Sequence, residues 1–136
     1  MSRQRKIHYC LNCNAELNER HKRYCNVTCQ HEHEYKRYIE KWKNGKTSGT
    51  IGEYGISQYI KRYLFEKYDN KCSRCGWHEV NQYTGHIPLE VEHIDGNYRN
   101  NDESNLDLIC PNCHSLTATY RNLNRGHGRK ARLKYV

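Results

Sequence analysis

Apolar residues are scarce in this chain: 35% of its 136 residues are hydrophobic, which excludes a large conventional core. The length allows one compact domain or two very small ones, held by something besides apolar burial. No apolar run approaches the length that crosses a bilayer, and the opening "MSRQRKIHYC" has charge without the apolar core of a secretory signal. The expectation is no membrane association and a reducing, cytoplasmic setting. Acidic residues stop after Asp107, whereas Arg121, Arg125, Arg129, Lys130, Arg132 and Lys134 crowd the remainder. A tail of one sign tracks phosphates or stays unfolded until it does.

Positive charge and cysteine are what the chain has in quantity. Twenty-three Lys and Arg against 15 Asp and Glu give a formal charge of +8, which favours an acidic partner, most often nucleic acid. The eight cysteines fall into two sets. Cys10, Cys13, Cys25 and Cys29 form C-x2-C followed by C-x3-C, and Cys72, Cys75, Cys110 and Cys113 form two C-x2-C knuckles around residues 76–109. In a reducing compartment such spacing favours zinc over disulfides, because two knuckles bring four thiolates to tetrahedral corners. Two structural zinc ions are expected, with His31 or His33 as alternatives to Cys29. A site closed by four thiolates has no open coordination position, so any chemistry lies between the knuckles.

The fold class implied is small, zinc-stabilised α+β. Residues 1–43 read as a zinc finger followed by a helix, with Tyr35, Tyr38, Ile39 and Trp42 on one face. The stretch 44–55 carries four glycines and reads as a linker. A second amphipathic helix is expected at about 57–69, within a module spanning 56–125, and residues 126–136 form the basic tail. Inside the module, "IPLEVEHID" alternates like a strand, "GNYRNNDESN" is a turn-rich loop, "LDLI" is a second strand and "NCHSLTATYRNLN" a helix that "RGHG" stops.

A basic chain that concentrates Glu90, Glu92, Asp95 and His93 in "EVEHIDGN" poses a problem for any direct grip on a polyanion. Taken singly, each of these residues has an ordinary surface or turn reading, and "DGN" is itself a turn signal. Together, Glu92-His93 at a strand end, Asn105 opening the next strand and "CPNCH" with His114 at a helix start resemble the HNH endonucleases. The resemblance covers roughly residues 72–125, in the zinc-knuckle-bracketed form of small bacteriophage proteins, where an N-terminal cysteine finger also occurs.

That resemblance implies a ββα-metal, treble-clef-like module that hydrolyses phosphodiesters of double-stranded DNA with one divalent ion. Carried over, His93 is the general base, Glu92 and His114 hold the catalytic ion, and Asn105 orients the base. The arginines and lysines from Arg121 to Lys134 would bind DNA. A cation between protein and phosphate removes the charge problem. Position 92 is Glu where the family more often has Asp or His, and position 118 is Ala where some members add a His. A carboxylate with one imidazole suits magnesium or manganese, with zinc or nickel as alternatives. The rival readings are a non-catalytic nucleic-acid-binding zinc protein, an HNH protein acting on RNA, and an HNH component of a phage packaging or homing system with a protein partner.

Overall fold

The computed structural model describes residues 4–18, 20–21 and 23–124. The chain divides into two compact units, residues 1–41 and 42–136. Among the described residues, no helix is long and apolar enough to cross a membrane.

In the first unit, strands β1 (His8–Tyr9) and β2 (Glu16–Leu17) pair antiparallel. The turn between them carries Cys10 and Cys13. It closes through Cys10 N–H to the Ala15 carbonyl at 2.8 Å and Asn14 N–H to the Cys10 carbonyl at 2.9 Å. Asn14 takes a left-handed φ of 61°, which a short polar side chain tolerates. Helix α1 (Val27–Lys43) begins where Asn26 Oδ1 accepts the Cys29 N–H at 2.7 Å. This cap satisfies a free N–H of the first turn and so delivers Cys29 to the finger. Tyr35, Ile39 and Trp42 of the expected face are buried.

The second unit begins at Trp42. The glycine-bearing stretch expected to be a linker instead folds: β3 (Thr50–Ile51) and β4 (Gly55–Ile56) pair antiparallel. Gly49 has φ 73°, and a Cβ there would collide with the Ile60 side chain, so this glycine serves close packing rather than flexibility. Helix α2 (Gln58–Lys67) follows, its first turn capped by Ser57 Oγ accepting the Tyr59 N–H at 3.2 Å. Ile60 and Leu64, one turn apart, are fully buried.

Strands β5 (Glu90–His93) and β6 (Leu106–Ile109) form an antiparallel pair with Glu92 opposite Asp107 and His93 opposite Leu106. The described core of this unit is small: Ile60, Leu64, Leu106, Leu108 and Ile109 are its fully buried aliphatics. α2 packs on β6, and the next helix, α3 (Pro111–Ser115), packs on β5.

α3 is five residues long, whereas the sequence suggested a helix through "NCHSLTATYRNLN". Thr and Ser side chains compete with the helical ladder. Thr117 Oγ1 donates to the His114 carbonyl at 3.0 Å and Thr119 Oγ1 turns away to Glu92. The chain resumes as a 3-10 turn at Arg121–Asn124. Arg121 is therefore not two turns along a helix from His114; it has φ 50° and its guanidinium lies 5.0 Å from the Tyr120 ring. Arg125, Arg129, Lys130, Arg132 and Lys134 lie outside the described residues.

Candidate active site and metal centres

Two groups of four cysteines, Cys10, Cys13, Cys25, Cys29 and Cys72, Cys75, Cys110, Cys113, have their sulfurs within 4.8 Å of one another. All eight are free thiols, and such groups can bind metal ions such as zinc. His33 is engaged elsewhere, its Nδ1 lying 2.8 Å from the Tyr24 hydroxyl. Each knuckle aims backbone N–H groups at sulfur. For Cys10 the backbone N–H of Cys13 leads in lowering the thiol to about 6. Burial raises the Cys72 thiol, but the N–H groups of Cys75, Cys110 and Arg74 outweigh it and bring it down to about 6. Cys25, beside the Cys29 sulfur, and Cys113, beside the Cys75 sulfur, are pushed up to about 12. Thiolates this close repel, and a cation among them removes the repulsion; the donor set therefore fits zinc.

The second knuckle pair is pinned to the hairpin. Ser73 N–H donates to the Leu108 carbonyl at 2.8 Å, and Arg74 pairs with Asp107 at 3.1 Å. Cys110 caps α3, its sulfur accepting the Cys113 N–H at 3.4 Å. α3 thus starts immediately beyond β6 and lays His114 against β5.

Strand alternation sends Glu90 and Glu92 to one face of β5 and His93 to the other. On the first face, Glu92 is 6% exposed despite its charge, and both carboxylate oxygens are used. Oε2 lies 2.8 Å from His114 Nδ1, and Oε1 accepts the Thr119 hydroxyl at 2.9 Å. Glu90 Oε2 is 3.6 Å from His114 Nε2, and Tyr120 sets its ring edge-on to the imidazole at 5.3 Å. Two ligand atoms at neighbouring corners around an ion about 2.1 Å away lie about 3 Å apart. The Glu92–His114 spacing fits that requirement.

On the opposite face, His93 Nε2 lies 2.7 Å from Asn101 Oδ1. The ring lines a cleft of about 540 Å³ with Tyr54, Gly55, Lys61, Leu89 and Val91. Asn105, 8% exposed, ties the intervening loop. Its Nδ2 donates to Asp95 Oδ1 at 2.9 Å and to the Asn100 carbonyl at 2.8 Å, and its Oδ1 accepts the Asp95 N–H at 3.0 Å. Asp95 also accepts from Asn97 N–H and from the Asn100 amide, both at 2.8 Å. Burial raises the Asp95 carboxyl, but these donors and the neighbouring His93 hold it below its usual range.

The structure therefore brings Glu92 and His114 together and sets His93 on the adjacent position with the opposite face. Thr119 and Glu90 join the Glu92–His114 pair, and Asn101 joins His93 on the other face, none of the three having been singled out from the sequence as a site residue. "NN" at 100–101 lies in the turn-rich loop, and nothing in its spacing marks the second Asn as the one that reaches the imidazole.

Residues 72–118 match the model of the HNH endonuclease family. The segment opens at Cys72, the first residue of the second cysteine set, and closes just beyond His114. Over 97 residues, 71% of its length, the chain is 38% identical to the H-N-H endonuclease F-TflIV of Escherichia phage T5. It spans 40% of that relative's length. No solved structure matches the chain.

Proposed function

We propose that this chain, which carries an HNH endonuclease-family domain at residues 72–118, is a metal-dependent DNA endonuclease built on a ββα-metal module. The observation that carries the reading is the 2.8 Å approach of Glu92 to His114, with His93 the next residue along β5. A buried carboxylate and an imidazole at ligand spacing, with a second imidazole adjoining, have the composition that phosphodiester hydrolysis needs.

Glu92 and His114 would hold the divalent ion, magnesium or manganese by donor type. Bound there, it would supply positive charge to a phosphate oxygen and to the leaving 3′ oxygen. His93 acts as general base: its free nitrogen takes a proton from water, the water oxygen attacks phosphorus, and the bond to the 3′ oxygen breaks to leave a 5′ phosphate and a 3′ oxygen that takes up a proton from solvent as the 3′ hydroxyl. A neutral imidazole carries the lone pair that this proton transfer needs. Asn105 orients the base through the loop it ties.

The two four-cysteine sets would each hold a structural zinc ion. DNA would be held largely through its backbone by the N-terminal finger, Arg121 and the basic residues Arg125, Arg129, Lys130, Arg132 and Lys134, so affinity falls as salt rises. The test is cleavage of supercoiled plasmid by the full chain with magnesium or manganese, beside His93→Ala and a chelator control. Undiminished cleavage by His93→Ala would remove the base. Tight DNA binding with no cleavage under any divalent ion would establish the binding-module rival instead.

A further inference from the structure

We infer that Asn101 is a positioning residue for His93: it fixes the imidazole with its proton on Nε2, leaving Nδ1 as the nitrogen that accepts a proton. The inference deepens the proposed reaction and rests on His93 being its base.

A neutral imidazole has one N–H and one lone pair, and the partner of one nitrogen decides which is which. Asn101 Oδ1 sits 2.7 Å from Nε2, and an amide oxygen can only accept, so Nε2 must carry the proton. Among the described residues Nδ1 has no hydrogen-bond partner, and the ring lines the open cleft of about 540 Å³, where a base can meet its water. The reverse amide orientation would turn Nδ2 toward the ring, put the proton on Nδ1 and disable that nitrogen.

Asn101 is held for this task. It is 3% exposed, and its Nδ2 donates to Thr50 Oγ1 at 3.1 Å. Its backbone carbonyl accepts the Trp42 indole N–H at 2.7 Å; that donor has no alternative role. The preceding carbonyl, of Asn100, accepts from Asn105. Asn105 therefore acts on the base at one remove: it holds residue 100, and residue 101 holds the ring. Trp42 and Thr50 both precede the family-matched segment, so the base is oriented in part from outside it.

The test uses the full zinc-loaded chain with 15N-labelled histidine near pH 8, the His93 ring signals being those lost in His93→Gln. The expected result is an Nε2–H protected from solvent exchange in the wild type and in Asn101→Asp, whose carboxylate also accepts, and lost to exchange in Asn101→Ala. Single-turnover cleavage should fall about 10- to 100-fold in Asn101→Ala with DNA affinity within about 2-fold, and recover most of that loss in Asn101→Asp. Should Asn101→Ala lose its zinc or unfold, Thr50→Val frees the amide to rotate while the Trp42 anchor stays, and should slow cleavage about 3- to 10-fold. A wild-type proton on Nδ1, or an exchange rate unchanged by loss of the amide, would overturn the inference. Cleavage undiminished in His93→Ala would instead reject the base assignment, while the ring signals still decide whether Asn101 fixes the tautomer.

Discussion

Glu92 and His114 stand 22 residues apart in the chain and meet at 2.8 Å between Oε2 and Nδ1. The hairpin places Glu92 on the face of β5 that α3 covers, and the Cys110 cap sets the start of α3 so that its fourth residue reaches that carboxylate. The meeting thus depends on the same knuckle that would hold zinc.

Thr119 should tune this pair. Its hydroxyl is the donor that orients the second Glu92 oxygen, and partners of a metal ligand typically govern affinity by 10-fold or more. Thr119→Val should weaken manganese binding about 10-fold in calorimetric titration, and Glu92→Ala should abolish it. Glu92→Ala also strands two polar groups and should lower stability by about 1–3 kcal/mol in denaturant unfolding.

Asn105→Ala removes three hydrogen bonds from the 94–101 loop. The loss should be about 2–3 kcal/mol of stability, with slower cleavage and unchanged zinc content. The same loop sets an acid limb. Asp95 has its carboxyl held below the ordinary 3.8, so the unfolded chain takes up that proton first as pH falls. Its stabilising contribution is complete above about pH 4 and declines as pH drops through the lowered value. Asp95→Asn should flatten the unfolding midpoint against pH below that point.

The two cysteine sets should separate by mutation. Cys72→Ser is expected to leave about one zinc ion per chain by elemental analysis and to abolish cleavage, since β5, β6 and α3 lose their common staple. Cys10→Ser should also remove one ion while cleavage of DNA at saturating protein persists. Acid should release both ions, because each thiolate must take up a proton to leave zinc and bound zinc holds all four thiols of a set below their metal-free values.

Gly49→Ala probes the hairpin that replaces the expected linker. A left-handed φ and a collision with Ile60 should cost about 1–3 kcal/mol in thermal or denaturant unfolding. A true linker would tolerate the change within about 0.5 kcal/mol.

Much of the site was legible because its parts repeat local rules. Cysteine spacing marked both metal groups, alternation marked β5 and β6, and the motif named Glu92, His93, Asn105 and His114 as one set. The helix after Cys110 was overextended because apolar periodicity does not register the competition of Thr117 and Thr119 for backbone and carboxylate. Residues 44–55 look like a linker in sequence because two-residue strands are too short for any period, and Gly49 announces flexibility and close packing with the same letter.

By itself, the sequence determined the chemistry available: eight thiols in two sets, one Glu-His dipeptide at a strand end, and a shortage of apolar surface that demands staples. Only the tertiary structure decided which groups touch. Glu92 is buried against His114 and Thr119, and the His93 ring is held by Asn101, because hydrogen-bond partners are chosen by the distance and direction of side chains in space. Neither is written in their separation along the chain.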